Sequence, residues 1–248
     1  MKTVAIVQAR MGSTRLPGKS AMLIQGIPLL AHVLKRVRLS KVDQVVLALP
    51  QEHRSPLASI ASDLGIISLT KLGDHNDLIG RYQFAASVMG ADLIVRVPAD
   101  NPCVDPDEIN RIIKLFHATK DKFPDSNRLW SNLDGNIGGN NYPGGLGAEV
   151  YTKDFLAWLD GNVLDPRLRE HPHLWAMERQ RVVTLNAHHA IARPDLRFDV
   201  NTQADFDFIS GIYAALYPSN PDFRIRDILG LLGEEKHVES NQSESTHP

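Results

Sequence analysis

Val4-Ala5-Ile6-Val7-Gln8-Ala9-Arg10-Met11-Gly12-Ser13-Thr14-Arg15-Leu16-Pro17-Gly18-Lys19 is the stretch on which the reading of the fold turns. Its first four residues form a short, partly β-branched apolar run, which reads as a strand buried on both faces. The polar stretch behind it carries two glycines, a proline, two arginines and a lysine. Glycine lets backbone N–H groups approach a ligand closely, and three cations can meet several phosphate oxygens at once. A strand running into a cationic glycine loop is a common way for an α/β protein to present a phosphate site at a sheet edge. The stretch therefore reads as a nucleoside triphosphate loop in which Arg10, Arg15 and Lys19 meet the phosphates. It is not a P-loop: five residues separate Gly12 from Gly18, one more than that motif allows, and Arg15 and Pro17 put bulk and a missing N–H where a P-loop wraps its phosphates. The competing reading is an ordinary turn between strand and helix whose charges are merely solvated.

Beyond the loop, Leu29, Leu30, Val33, Leu34 and Val37 recur at helical spacing within the segment from Gly26 to Ser40. Gln44 to Leu49 reads as the second core strand, Ser55 to Leu64 as a helix and Gly65 to Leu69 as a short third strand. This βαβαβ rhythm predicts a parallel sheet with helices on both faces. A helix follows from about Asn76 or Asp77 to Gly90, and Ala91 to Val97 is the next buried strand. Asp100 lies just past the carboxyl end of that strand, where open α/β sheets bind ligands. The next helix has its own start signal, with Asp105 as N-cap, Pro106 at N1 and Glu108 at N3. Asp105-x-Asp107 is thus read as structural, although it imitates the metal motif of a glycosyltransferase, and Asp100 as functional.

From Lys120 to Leu146 the chain is rich in Asn, Asp, Gly, Pro and Ser, and only Arg128 to Asn132 looks strand-like. Gly138 to Gly145 reads as a mobile loop over a site. Leu146 to Tyr151 reads as a strand, with Thr152 capping the following helix. Leu196 to Asn201 reads as the end of another strand, with Thr202 and Asp205 capping the helix behind it. A last helix is expected over about Arg224 to Leu232. One domain over 1–232 is expected, with a small β excursion near 125–180 and a polar, disordered tail over 233–248. His171 and His173 are two residues apart, which neither a helix nor a strand aims at one ion, so a metal reading of this pair is rejected.

Bulk properties narrow the function class. At 43% hydrophobic and 23% charged, the 248 residues suit a soluble globular chain with a sizeable core. A net charge of −2 points away from nucleic acid or a membrane surface as the main partner. A single cysteine, Cys103, rules out an internal disulfide and suits a reducing compartment. With no long apolar run and no signal-like N-terminus, a cytoplasmic protein is expected.

The run from Gln8 to Lys19 resembles, almost letter for letter, the signature of the cytidylyltransferase family that makes CMP-sugars. CMP-Kdo synthetases and acylneuraminate cytidylyltransferases carry it, and the likeness is strongest to the spore coat polysaccharide biosynthesis protein F group. The resemblance implies a three-layer α/β/α nucleotidyltransferase fold, GT-A-like and Rossmann-like, around a mixed, mostly parallel sheet. It implies transfer of CMP from CTP to a sugar, expected to be acidic, with release of pyrophosphate in surface polysaccharide or glycan precursor synthesis. Gln8, Ala9, Arg10, Gly12, Ser13, Arg15 and Lys19 become nucleotide-binding, and Lys19, Arg10, Arg15 and Asp100 catalytic.

Further motifs extend the likeness. Asp77-Leu78-Ile79-Gly80-Arg81-Tyr82 is similar to the family's D-V-L-x-R-Y, which lies beside the nucleotide; taken alone, Asp77 and Arg81 read equally well as a helical ion pair. Arg96 to Pro102 is similar to R-x-x-x-D-x-P, whose aspartate holds Mg²⁺ and here is Asp100. Arg169-Glu170-His171 is similar to an R-x-H element that faces the acceptor sugar. Leu146-Gly147-Ala148-Glu149 stands where the family has a segment similar to G-L-D-V-E-V, so the usual aspartate is absent. Asn201 falls on the family's second metal-binding aspartate, with Asp199 two residues earlier as the competing ligand. Asparagine still offers a carbonyl oxygen to a hard cation. A homodimer is one expected assembly, with the 125–180 excursion providing acceptor or dimer contacts. Two other readings stand beside this one: a glycosyltransferase on a similar fold, and a nucleotide-binding regulator without turnover.

Overall fold

The computed structural model describes residues 1–123, 125, 127–133 and 139–233. Strand β1 (Thr3–Gln8) leads through the cationic loop and a single 3-10 turn (Lys19–Ala21) into β2 (Leu23–Ile24) and β3 (Ile27–Pro28). There follow α1 (Leu29–Arg38), β4 (Gln44–Pro50), α2 (Arg54–Asp63), β5 (Ile67–Lys71), α3 (Leu78–Met89), β6 (Leu93–Pro98) and α4 (Pro106–Thr119). The second half supplies β7 (Leu129–Ser131), β8 (Glu149–Thr152), α5 (Lys153–Asn162), α6 (Pro166–Glu170), α7 (Pro172–Glu178), β9 (Val182–Thr184) and α8 (Gln203–Leu216), then α9 over residues 225–233.

Seven strands form one sheet in the order β5-β4-β1-β6-β8-β7-β9. β1 pairs in parallel with β4 and β6, β4 with β5, and β7 with β9, while β8 runs antiparallel to both β6 and β7. The chain leaves β1 toward β4 and β5 on one side, then crosses back to place β6 on the other. That reversal makes the carboxyl ends of β1 and β6 the switch point, where an open α/β sheet has a crevice for ligand.

The alternation along β1 shows why two helical layers form. Ala5 and Val7, with Leu47, Leu49, Val95 and Val97, pack against α1, α2, α4, α8 and α9. Val4 and Ile6, with Val46, Ala48 and Ile94, pack against α3, α5 and α7. Successive side chains of a strand point to opposite faces, so a continuous apolar run serves both layers. The segment from 129 to 184 extends the same sheet with β7, β8 and β9 and adds α5 to α7 on the second face. Among the described residues no helix is long and apolar enough to cross a membrane.

Helix ends follow the chemistry of their caps. Asp77 accepts the Gly80 N–H at the start of α3, and Gly90 ends that helix in the left-handed conformation. Asp105 accepts the Asp107 N–H with Pro106 in the first turn of α4, and Thr202 and Asp205 form a reciprocal capping box on α8. Glu108 departs from the expected box: it turns instead to the Tyr142 hydroxyl at 2.5 Å and the Arg111 guanidinium at 2.7 Å.

Three expectations change. α1 begins at Leu29 because Gln25 and Gly26, both at positive φ, make a two-residue turn between β2 and β3. Residues 196–201 are not a strand but an irregular run whose β-pairing is one bridge between Gly144 and Arg197. The supposed mobile loop is largely core: Asn140 and Tyr142 to Ala148 are buried. Gly138 and the tail beyond residue 233 lie outside the described residues.

Two glycines let that buried loop reach the crevice. Gly145 has φ +85°, and a Cβ there would meet the Asp199 amide nitrogen at 2.7 Å. At Gly147 a Cβ would overlap the backbone and side chain of Asn132, whose amide oxygen accepts the Ala148 N–H at 2.9 Å. The family aspartate therefore has no room at this position. Gly147→Ala should destabilise the fold by about 2–3 kcal/mol through overpacking, read as a lower urea midpoint at unchanged slope. An unaltered midpoint would show that the β7–β8 junction gives way freely.

Candidate active site

The crevice at the switch point is a cleft of about 530 Å³, within the range of small-molecule sites. The loop after β1 lines one wall with Gln8, Ala9, Arg10, Ser13, Thr14 and Arg15. Lys19 and Ser20 lie at its base, beside the turn Pro98 to Asn101 that ends β6. The third wall comes from Arg197, Asp199 and Asn201, and the fourth from Glu170 at the end of α6 and His171, His173, Leu174 and Met177.

Backbone bonds between strand ends place these groups. Ala9 N–H donates to Ala48 O, Ala99 N–H to Gln8 O and Val200 N–H to Asp100 O, which fixes the loop, the β6 turn and the 199–201 corner against one another. Within the loop, the Gly18 and Ser13 N–H groups both donate to Met11 O. Gly18 takes up the left-handed conformation ahead of Lys19, whereas Gly12 sits exposed on the rim and does not line the cleft.

The Lys19 ammonium is the knot of the site. It donates to Asp100 Oδ2 at 2.7 Å, Val200 O at 2.6 Å and Asn201 Oδ1 at 3.4 Å, and its side chain is 11% exposed. Three donors thus meet three oxygens. Arg15 Nη2 also donates to Asn201 Oδ1 at 2.8 Å. The Asn201 amide nitrogen donates to Asp199 Oδ2, and Arg197 clasps Asp199 through Nε and Nη2, both at 3.0 Å. Arg10 reaches across the cleft to Asn76 Oδ1 at 2.5 Å and Glu170 Oε1 at 3.2 Å.

A hard divalent cation fits this donor set. The Asp100 carboxylate, the Asn201 amide oxygen and the Val200 carbonyl already converge on one positive charge, that of Lys19. Among the described residues no group of three or more His, Cys, Asp or Glu side chains is arranged to hold a metal. Asp105 and Asp107 are not such a site: Asp105 is 1% exposed, and its two oxygens accept the Asp107 and Ile225 N–H groups.

Of the residues singled out from the sequence, Gln8, Ala9, Arg10, Ser13, Arg15, Lys19, Asp100, His171 and Asn201 meet in this cleft. Four do not line it: Gly12 is exposed outside the lining, and Asp77, Arg81 and Arg169 are engaged elsewhere. Asp77 is spent on the α3 N-terminus and on Lys71 and Arg169. Arg81 is 2% exposed and donates to His75 O, and it makes no ion pair with Asp77 within salt-bridge range. Arg169 faces away from the cleft, donating to Asp77, Asp160 and the carbonyls of Asp160 and Val163. Arg169 thus braces α6 against the start of α3 and the end of α5. Sequence reading missed Arg96, Glu170, His173 and Arg197, which lie inside segments that read only as strand or surface.

A family profile described as cytidylyltransferase matches residues 4–139. A 3-deoxy-manno-octulosonate cytidylyltransferase of Pelobacter propionicus is 34% identical over 115 residues, covering 46% of this chain and 44% of that protein. The chain thus spans about half the length of such curated relatives. The structure of a cytidylyltransferase from Leptospira borgpetersenii superposes with a TM-score of 0.85 at 25% identity, over 96% of each chain. A CMP:2-keto-3-deoxy-manno-octonic acid synthetase complexed with CTP superposes at 0.64, covering 87% of this chain and 99% of that one. At 18% identity this last likeness is one of fold.

The reassignment of Asp77 is testable through pH. Burial favours its neutral acid, but the Gly80 N–H, Arg169 and Lys71 outweigh that and hold the carboxyl below the ordinary aspartate value. A depressed folded-state pKa contributes stability that is full above the unfolded value and fades as pH falls through the folded one. Asp77→Asn should cost about 1–2 kcal/mol at neutral pH, and the gap to the parent protein should close on acidification below about pH 4. Urea unfolding at a series of pH values measures it. A constant gap, or a specific loss of nucleotide binding in the folded variant, would restore Asp77 to the site.

Proposed function

The chain belongs to the cytidylyltransferase family, and on that premise we propose that it transfers CMP from CTP to a sugar hydroxyl, releasing pyrophosphate. The observation that carries this reading is the meeting of Lys19, Asp100 and Asn201 at the switch point, beneath a loop bearing Arg10 and Arg15. The loop amides with Arg10, Arg15 and Lys19 hold the triphosphate along the β1 wall. Asp100 and Asn201 would hold Mg²⁺, which when bound offsets charge on the α-phosphate and the leaving group. Lys19, held at the base of the cleft by the same oxygens, would turn its ammonium to the phosphates as those oxygens take up the cation and supply positive charge there. The acceptor oxygen attacks the α-phosphorus in line, from the side of the α6–α7 wall where His171 stands.

An acidic sugar is the proposed acceptor, by analogy with the 3-deoxy-manno-octulosonate relative. The product would be a CMP-sugar for surface polysaccharide or glycan precursors, made in the cytoplasm by one nucleotidyltransferase unit over residues 1–232. Kinship with the spore coat polysaccharide biosynthesis protein F group rests on the Gln8–Lys19 loop, and the 125–180 segment is the proposed source of acceptor or homodimer contacts.

The test is pyrophosphate release with each nucleoside triphosphate against a panel of acidic and neutral sugars. Lys19→Ala should lower turnover roughly 100-fold or more, as loss of an oriented charge does. Asp100→Asn should abolish turnover that depends on a divalent cation. Asp105→Asn should keep turnover and lose about 1–3 kcal/mol of stability, because its oxygens serve two backbone donors. A catalytic loss confined to Asp105→Asn would move the reaction toward glycosyl transfer, and CTP binding without pyrophosphate release would make the chain a nucleotide-binding regulator.

A further inference from the structure

His173 occupies a more constructed position than His171. It stands in the first turn of α7, borders the cleft, and turns Nδ1 toward Glu149 Oε1 at 3.6 Å. Glu149, on β8, is completely buried. Its Oε2 accepts from Arg96 Nη1 at 2.7 Å and from the Tyr151 hydroxyl at 2.8 Å, while Oε1 accepts no hydrogen bond. Arg96, on β6, is 7% exposed and also donates Nε to the Tyr82 hydroxyl at 3.1 Å.

A fully buried carboxylate that leaves one oxygen without a hydrogen bond is costly, and such groups recur where function uses them. Burial alone would push the Glu149 carboxyl up, but Arg96, His173 and Tyr151 hold it below the ordinary value. It is therefore an anion at neutral pH, fixed by Arg96 and facing the His173 imidazole at 3.6 Å. A carboxylate behind Nδ1 sets the tautomer and orientation of an imidazole whose Nε2 then meets a substrate proton. Separations of this kind are often long before substrate binds. On the same wall, Glu170 is engaged by Arg10, and the His171 ring lies 6.0 Å from that of His173 centroid to centroid.

We propose that His173 is the general base of the transfer and that Glu149 is its positioning residue, an inference that rests on the cytidylyl-transfer reading above. The acceptor hydroxyl gives its proton to His173 Nε2 as its oxygen bonds to the α-phosphorus. The bond from the α-phosphorus to the bridging oxygen breaks, and its electron pair leaves with pyrophosphate. The imidazolium, stabilised by Glu149, then returns its proton to water. Atoms and charge balance without a further reactant.

The experiment is the pH dependence of pyrophosphate release for the wild type, His173→Ala, His173→Gln and Glu149→Gln, with CTP affinity measured in parallel. Wild-type kcat/KM should fall on the acid side as the His173 imidazole takes up a proton. Both His173 variants should lose about a hundredfold or more in kcat, lose that acid limb, and keep CTP affinity. Added imidazole should restore part of the rate to His173→Ala. Glu149→Gln should keep the limb but shift it to lower pH, because a neutral neighbour stabilises the imidazolium less. Should Glu149→Gln fail to fold, His173, whose side chain is 21% exposed at the cleft wall, still allows the decisive comparison. A His173→Ala protein with wild-type rate and acid limb overturns the base, as does a slow one that retains the limb and ignores imidazole. A wild type that releases no pyrophosphate with any pair takes down the transfer reading and the base together.

Discussion

The bonds of the Lys19 ammonium hold the site together. A side chain on the loop after β1 collects the carboxylate that follows β6 and two oxygens from the corner before α8. These segments are more than 80 and 180 residues distant from Lys19 in sequence, so the contact forms only once the sheet is assembled. The sheet makes it possible by putting β1 beside β6 in parallel register, with both strands ending at one crevice. Two carboxylates, Asp100 and Asp199, line the same cleft, and each has its own cation, Lys19 or Arg197. The same cations make the site attractive to a triphosphate, so the stability of the resting corner and its affinity for ligand come from one set of charges.

What could be read from the sequence divides along physical lines. Local signals were legible: the Val4 to Val7 run as a strand buried on both faces, the caps at Asp105 and Thr202, and the cationic loop with its partner Asp100. Each depends on residues near one another in sequence, or on the fixed rule that ligands gather at the carboxyl ends of strands. The failures come from long-range competition. Asp77, Arg81 and Arg169 carry the charges that a nucleotide site needs, but a helix N-terminus and a bracket between α3, α5 and α6 take Asp77 and Arg169, and the His75 carbonyl takes Arg81. Nothing in spacing tells whether a carboxylate is satisfied by a helix or left for a ligand. The glycine-rich run around Gly145 failed for a related reason: glycines that look like flexibility are there because the backbone of residues 198–199 passes too close for a Cβ.

The buried pair Arg96–Glu149 shows the opposite case, a functional arrangement hidden in segments that read as strand. Both residues sit in apolar runs, on β6 and β8, and become a pair only because those strands are antiparallel neighbours with Arg96 opposite Glu149. A buried ion pair is weak evidence for stability, since apolar residues could fill the same volume at little cost. Its value lies in where it holds the carboxylate, behind the α7 wall and facing His173. The cleft thus has two electrostatic ends, cationic under the loop and an anion-backed imidazole at the acceptor wall. Such polarity suits a reaction in which negative charge leaves one side as a proton leaves the other.

A crystal structure of the protein grown with CTP and Mn²⁺ tests the central claim most directly. The account predicts the triphosphate along the Arg10 to Lys19 loop and an anomalous Mn²⁺ peak bound by Asp100 and the Asn201 amide oxygen, with Lys19 turned to the phosphates. A metal peak at Asp105 and Asp107, or a nucleotide bound away from the β1–β6 switch point, would contradict it.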